Sequence, residues 1–406
     1  MNDATLDFIR LHADDDVRQL ALRAPRDGSV DVPFALNQIA GRQTARKKLP
    51  SWAAVEGILF PPHLNMEQCS SEQTARYKAK VVGSGGKMAD LTGGFGVDCS
   101  FISRGFNECF YVEQSPSLCE LARHNLPLLG LAQATVVNTT AEGFLHTCPQ
   151  LDFVFIDPAR RDAHGARTYS LADCTPDVLR LMPLLVLKAR RIMMKLSPML
   201  DWRKAVADVE RAAQGQAFVC GVHIVSVANE CKELLLDVRC NSNDGEKHPL
   251  RVVCANLVSA DETVVFETFD SPSPITHHPS SITHHLSPLY LYEPNASIMK
   301  AGCFGALVAV YDVQAIAPNS HLFVSAHFIG NFPGRKFRVN HLATMNKRDL
   351  RETLAGITHA NISVRNFPLT ADQLRKRLRL KDGGTDYIFA TTDAERRHIL
   401  LICSGC

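Results

Sequence analysis

Four short stretches hold residue types whose spacing suits chemistry. The first is Asp90-Leu91-Thr92-Gly93-Gly94-Phe95-Gly96-Val97-Asp98. Its glycines let the backbone turn sharply and approach a ligand where any Cβ would clash. Asp90 ahead of them argues against a pyrophosphate, which prefers helix amides without a carboxylate alongside, and suits a ligand with an ammonium group. The run is not GxGxxG, and no Gly-Lys-Ser/Thr follows to make a Walker loop. The second is Glu113, about 20 residues on, where a carboxylate can take both hydroxyls of a ribose. The third is Asp157-Pro158-Ala159-Arg160-Arg161, an acid followed by guanidinium planes that can stack on a base. The fourth is Lys195, in Lys195-Leu196-Ser197-Pro198, a cation suited to a phosphate or to orienting a substrate.

These residues fall at the ends of apolar, β-branched runs. The runs are Lys87–Leu91, Glu108–Val112, Ala134–Val137, Leu151–Ile156 and Ile192–Leu196, with helical patterns between them. Phe218–Val227 and Glu233–Cys240 follow as an expected hairpin pair at the edge. Such alternation predicts an α/β fold, a Rossmann-like doubly wound sheet, whose ligands sit at the carboxyl ends of the strands. Residues 1–66 read as a helical extension and 67–270 as the sheet domain. The Ser-, Pro- and His-rich stretch 271–288 reads as a linker, and small α+β units follow to the end. Ser70-x-x-Gln73 reads as a capping box opening a helix that runs through Lys80.

Composition narrows the class. With 44 Lys and Arg against 42 Asp and Glu, the chain is neither a basic tail nor an acidic disordered segment. No apolar run reaches about 18 residues, so no transmembrane helix is expected. The start lacks a basic patch followed by an apolar stretch, which argues against a secretory signal. Thirteen scattered cysteines, an odd number, read as reduced thiols of a cytoplasmic protein rather than a disulfide framework. No metal site is expected. His277, His278, His284 and His285 have no fixed cysteine partners, and Cys403-x-x-Cys406 has no second pair.

The motifs resemble those of class I S-adenosylmethionine-dependent methyltransferases. In that family an acidic-x-Gly-x-Gly-x-Gly turn follows the first strand. Asp90, Gly94 and Gly96 match it beside Gly93, while Thr92 replaces the first glycine. Glu113 matches the ribose-binding acid. The family's Asp-Ala at the adenine appears here as Thr140-Ala141. Asp157-Pro158-Ala159-Arg160 stands where nucleic-acid amino methyltransferases carry Asp/Asn-Pro-Pro-aromatic, with Arg160 in the aromatic's place. The resemblance implies that Asp157 accepts a hydrogen bond from the acceptor amine, a transfer that depends mostly on positioning. Asp-Pro-x-Arg is also similar to a loop of RNA uracil methyltransferases, which need a cysteine nucleophile. Cys174, seventeen residues past Asp157, is the near candidate.

The whole chain resembles a group of bacterial methyltransferase-like proteins with a ferredoxin-like segment and a THUMP-like C-terminal domain. DLTGGFGVD, DPARRD, KLSPMLD, ECKELL, YLYEPNASIMKAG, FPGRKF, VRNFP and LKDGGTDYIFATT carry the likeness. It implies a ferredoxin-like segment at 289–330 and a THUMP-like domain at 331–406. It also implies S-adenosylmethionine as cofactor and structured RNA, tRNA or rRNA, as substrate, with no membrane and no DNA partner. A helix before the first strand often closes over the cofactor in this family, so Ser71, Thr74 and Lys78 are expected to face it. Basic residues outnumber acidic ones ten to five over 157–204 and fourteen to seven over 331–406. Arg161, Lys195, Arg375, Lys376, Arg377 and Arg379 are therefore the expected RNA contacts. The reading is an RNA base methyltransferase acting on nitrogen. The rivals are the same fold on a non-RNA substrate and a non-catalytic RNA-binding protein with a vestigial pocket. A dinucleotide oxidoreductase is disfavoured by the missing GxGxxG.

Overall fold

The apolar runs fold as strands within a few residues of the ends read from sequence. A computed structural model describes residues 2–25, 27–160, 171–240, 249–270 and 289–406, with Arg160 described by its backbone alone. Arg161 and the expected linker at 271–288, with its four histidines, lie outside the described residues. The chain forms two units. One is Met1–Val225, Lys232–Leu250 and Ser259–Asp261; the other is Ser226–Cys231, Arg251–Val258 and Glu262–Cys406.

The first unit opens with six helices: α1 (Asp3–Leu11), α2 (Val17–Arg23), α3 (Val32–Lys48), α4 (Pro50–Ala53), α5 (His63–Gln68) and α6 (Glu72–Val82). Then come β1 (Gly85–Asp90), α7 (Val97–Ile102), β2 (Phe106–Glu113), α8 (Pro116–Leu128), β3 (Ala134–Asn138), α9 (Ala141–Thr147) and β4 (Leu151–Ile156). Two short strands follow, β5 (Ala159–Arg160) and β6 (Cys174–Thr175), then α10 (Val178–Lys188), β7 (Ala189–Leu196), α11 (Trp202–Ala213), β8 (Ala217–Val227) and β9 (Glu230–Cys240). The sheet order is β8-β9-β7-β4-β1-β2-β3. Strands β3, β2, β1, β4 and β7 are parallel, and β9 joins β7 antiparallel. The chain order reverses between β1 and β4, which opens a crevice at their carboxyl ends. Asp90 is level there with Tyr111 of β2 and Phe155 of β4.

The expected capping box is not formed. Ser71, one residue later, caps α6 by accepting from the Thr74 amide. Ser70 is buried and its hydroxyl donates instead to Asp98, 2.7 Å away. A buried hydroxyl beside a carboxylate serves that charge first.

The N-terminal helices grip the glycine-rich turn. Trp52 of α4, 2% exposed, meets Phe95 edge-on with ring centroids 4.8 Å apart. Phe60 packs on the other side of Phe95. The chain at 59–60 is held by side-chain amides. Gln38 bonds both the amide and the carbonyl of Phe60, and Asn125 does the same for Leu59. The extension is thus part of the wall behind the turn.

The second unit contains β10 (Arg251–Leu257), β11 (Thr263–Phe269), β12 (Leu289–Pro294), α12 (Ala296–Ala301), α13 (Phe304–Tyr311), β13 (Gln314–Ala315) and β14 (Phe323–Ser325). It continues with β15 (Gly334–Thr344), α14 (Lys347–Thr353), β16 (Asn361–Arg365), α15 (Ala371–Leu378), β17 (Asp386–Thr392) and β18 (His398–Gly405). Seven of these strands form one sheet in the order β13-β14-β12-β15-β18-β17-β16. Pairing of β12 with β15 makes it continuous across the two segments read separately from sequence. Among the described residues no helix is long and apolar enough to cross a membrane.

Trp52→Ala should remove about 3–5 kcal/mol and lower the melting temperature by about 6–20 °C. Calorimetric unfolding checks this; an unchanged transition would mean that the Trp52–Phe95 contact contributes nothing.

Candidate active site

The glycine-rich turn is strapped from both neighbouring strands. Gly93 donates its amide to the Val112 carbonyl at 2.9 Å. A Cβ on Gly93 would stand 2.3 Å from the Tyr111 ring, so only glycine fits there. Gly94 has φ +54°, the left-handed region that glycine tolerates. Its amide donates to Glu113 Oε2 at 3.0 Å, and its carbonyl accepts from the Tyr111 hydroxyl at 2.5 Å. Burial pushes the Tyr111 phenol up, so it stays a donor. Thr92, which replaces a glycine of the motif, ties the turn to the next strand end. Its hydroxyl accepts the Asp157 amide at 2.7 Å.

The turn forms one side of a cavity of about 850 Å3, within the range that holds a cofactor-sized ligand. Asp90 lies at its floor, 1% exposed, where its Oδ1 accepts the Thr92 amide at 3.0 Å. Burial pushes the Asp90 carboxyl up to about 8, opposed by the Thr92 amide and assisted by the charges of Asp98, Asp157 and Glu113. Glu113 spends one lone pair of each oxygen on the amides of Gly94 and Ser115. A carboxylate has about four acceptor sites, so two remain for ligand hydroxyls. Thr140 and Ala141 line the same cavity. Thr140 caps α9 through the Gly143 amide at 3.1 Å.

A cluster of charged side chains gathers around Asp98, at the end of the turn. Lys78 of α6 has no exposed surface. Its ammonium is 2.6 Å from Glu233 Oε2, 3.1 Å from Ser70 Oγ and 3.0 Å from Asp98 Oδ1. The last is an ion contact without hydrogen-bond alignment, since Asp98 Oδ1 receives no directed donor. Burial alone would raise Asp98, but Lys78 and Lys195 outweigh it and hold that carboxyl below its ordinary value. Lys195, next to last in β7, donates to Asp157 Oδ2 at 2.5 Å, with Asp98 Oδ2 3.9 Å away. Burial works against the Lys195 ammonium, yet Asp157 and Asp98 prevail and hold it protonated. Asp157 keeps about a third of its side chain open, 35%. Burial pushes its carboxyl up, and Lys195 offsets only part of that.

The segment after Asp157 is anchored across a gap in sequence. Pro158 is buried. Ala159 pairs with Thr175, and Arg160 pairs with Cys174. Cys174 is buried and lines the cavity.

Sequence reasoning singled out Asp90, Thr92, Gly93, Gly94, Gly96, Glu113, Thr140, Ala141, Asp157, Pro158 and Lys195, and all of these line this one cavity. The contribution of the helix before β1 differs from expectation. Asn65, Gln68, Cys69 and Ser70 line the cavity from that side, whereas Lys78 is committed to the ion cluster behind it. Lys195 likewise faces Asp157 rather than an open surface. Asp98, Ser70 and Glu233 were not assigned site roles from sequence. The one hint was Glu233 beside the uninterrupted Leu234-Leu235-Leu236, where an acid must find a partner.

The expected RNA-contacting residues of the second unit lie on and just after α15. A capping box between Thr370 and Gln373 opens that helix. Arg375 is tied to Asp372 and Asp382 at 2.8 and 2.6 Å. Lys376, Arg377 and Arg379 are exposed and form no ion pair among the described residues.

Fold and site together define a methyltransferase-like α/β unit followed by a second unit with a sheet of its own. Comparison with known proteins agrees. Residues 77–172 match the family model described as conserved hypothetical protein 95, 290–333 a ferredoxin-like domain and 334–405 a THUMP domain-like model. The chain is similar to the crystal structure of a candidate methyltransferase from Porphyromonas gingivalis W83. That likeness has 29% identity and a TM-score of 0.84 over 99% of this chain and 98% of that one. A tRNA m1G37 methyltransferase of M. jannaschii is 15% identical over 43% of this chain and 52% of its own, with a TM-score of 0.31. M. capricolum TrmK, in complex with S-adenosyl-homocysteine, is 9% identical over 42% and 70%, with a TM-score of 0.33. No curated protein matches the sequence.

Lys78→Met should destabilise the first unit by about 3–5 kcal/mol, because it leaves buried carboxylates without their cation. The sign with pH follows from Asp98. In the parent its low pKa contributes stability that is lost on acidification. In the variant Lys78 no longer opposes burial, so Asp98 moves up from its parent value and the deficit should shrink as the pH falls from neutral towards the ordinary carboxylate range. Unfolding curves for both proteins across that range check it; a constant deficit would rule out the charge origin.

Proposed function

We propose that this chain is an S-adenosylmethionine-dependent methyltransferase that modifies a base nitrogen in structured RNA, tRNA or rRNA, in the cytoplasm. One observation carries the reading: a single cavity brings the braced glycine-rich turn with Asp90 and Glu113 to within reach of the ion-paired Asp157. The residues fit such a cofactor. Asp90 suits its ammonium group, Glu113 retains two acceptor sites for ribose hydroxyls, and Thr140 and Ala141 border the expected adenine. When bound, the cofactor supplies an electrophilic methyl group on a sulfonium.

The chain's own residues would do the rest. Asp157 accepts a hydrogen bond from the acceptor nitrogen and turns its lone pair towards the cavity. Its raised pKa also suits it to take up the proton that nitrogen loses. Lys195 fixes the Asp157 side chain and prevents it from turning away. Thr92 keeps the Asp157 backbone in step with the glycine-rich turn, so cofactor and acceptor are positioned by one connected piece of structure. Pro158 and Arg160 continue the segment that would present the base. The THUMP-like match at 334–405 and the exposed Lys376, Arg377 and Arg379 support RNA as the partner. No disulfide joins any of the thirteen cysteines, which suits a reducing compartment.

A second reading has its own support. Cys174 stands in register with Arg160 in the cavity wall, where a carbon-directed transfer would need a thiol. Cys174→Ala should leave nitrogen methylation intact. Loss of activity together with loss of a covalent RNA adduct would favour carbon chemistry instead.

Three measurements test the main reading. Nucleoside mass spectrometry of tRNA and rRNA from cells with and without this gene should show one methylated nucleoside missing. No difference would move the assignment to a non-RNA substrate or a vestigial pocket. Calorimetry of cofactor binding at about pH 6.5 should show about one proton released per ligand, because the ammonium group displaces the proton of Asp90. Asp90→Ala should abolish that release. Asp157→Asn should keep cofactor affinity and slow transfer by about 100-fold or more; an active variant would end its assigned role.

A further inference from the structure

The sheet of the second unit is covered unevenly. Cross-strand register puts Tyr290, Ser325, Lys336, Arg338, His341 and Ser404 on one face. Ile388 and Ile402 share that face further along. There α15 covers it, with Leu374 packed among Ile388, Ala390, Leu400 and Ile402. Towards the other edge Tyr292 and Phe323 are buried, packed on Phe332 and Phe304 respectively.

Between these covered regions the face stays open. Tyr290 is half-buried, and Arg338 and His341 are exposed. Phe328, 50% exposed, lies against Tyr290 with ring centroids 5.5 Å apart and planes inclined by 56°. Arg338 stands directly across from Tyr290 on the neighbouring strand, at a Cβ separation of about 5 Å. Among the described residues Arg338 forms no ion pair. Asp386, in register with Ser404 one strand further on, is not bonded to it.

We propose that this open stretch is a stacking platform for single-stranded RNA. Unpaired bases would lie on Tyr290 and Phe328, and Arg338 with the exposed cations of α15 would take phosphates. The physical case is one of matching. A half-buried tyrosine against an exposed phenylalanine, beside a guanidinium with no ion pair among the described residues, suits a ligand with flat apolar faces and a negative backbone. Duplex RNA hides its base faces in the stack and would leave both rings unused. An acidic protein would meet the cations but has no equal claim on the paired rings. The proposal rests on the reading of RNA as partner and adds to it the surface and the form of RNA.

The test uses the full chain and fluorescence anisotropy. The probes are an unstructured pyrimidine RNA of about 12 nucleotides and a duplex RNA of equal length. Tyr290→Ala and Phe328→Ala should each weaken single-strand binding by about 5- to 150-fold and leave duplex binding unchanged. Tyr290→Phe should retain affinity, which separates stacking from loss of fold. Arg338→Ala should reduce the slope of log affinity against log salt by about 0.7. Parent protein that binds RNA while both alanine variants bind equally well would overturn the platform alone. So would a preference for duplex. Failure of the parent to bind either RNA would overturn the platform and the RNA reading together.

Discussion

The candidate site depends on one constraint: a fully buried ammonium, Lys78, must be met by carboxylates. An isolated charge in that position would cost far more than packing could return. Its partners come from four separate pieces of chain: the segment before α6, α7, β9 and, through Asp98, the end of β7. All must arrive together for the charge to be satisfied. A slip of one residue in β9 would present Lys232 or Leu234 to Lys78 in place of Glu233 and turn the alternating faces of the strand over. Buried ion pairs often add little net stability relative to apolar packing. Here the cluster's consequence is register: it seats α6 and β9 against the central strands, and its outer member, Lys195, carries that order to Asp157.

The same cluster shows why part of the site was readable and part was not. In a doubly wound sheet, functional residues gather at strand carboxyl ends, and apolar runs reveal where strands end. Asp90, Glu113, Asp157 and Lys195 were therefore legible from local pattern alone. Lys78 reads as facing the cofactor because the family resemblance places a helix over the cofactor there, and on a mostly polar helix nothing local marks it as buried. Its bond to Glu233 spans 155 residues of sequence, a separation no local periodicity encodes. The pairing of Arg160 with Cys174 joins positions fourteen residues apart in sequence, and no local pattern signals it. The Trp52–Phe95 contact joins the extension to the glycine-rich turn through two rings that each read as ordinary core.

In the second unit, the elements were legible but their assembly was not. The sequence from 289 onwards reads as two small α+β pieces because it offers short strands and helices enough for two. One sheet results because β12 pairs with β15, each strand supplying Leu291 and Phe337 to a shared apolar layer. Burial of that layer outweighs any local preference for separate units, since neither half alone encloses its own apolar face.

Asp90 and Asp157, two of the carboxylates that line the cavity, differ in how their charge is met. Asp157 has Lys195 beside it, so its charge is balanced within the protein even though burial lifts its pKa. Among the described residues Asp90 receives hydrogen bonds from Thr92 alone, and its neighbours in charge are the like-signed Asp98, Asp157 and Glu113. Burial and these like charges favour its protonated form, and a cation placed beside it would favour the ionised one. Two lysines face three further carboxylates in the cluster, Asp98, Asp157 and Glu233, so the wall carries no surplus positive charge to attract a phosphate. Under the proposed reading, a cavity balanced in this way suits a positively charged occupant at the glycine-rich turn. Asp157, held by Lys195 and open over about a third of its side chain, is left to meet a donor in the same cavity.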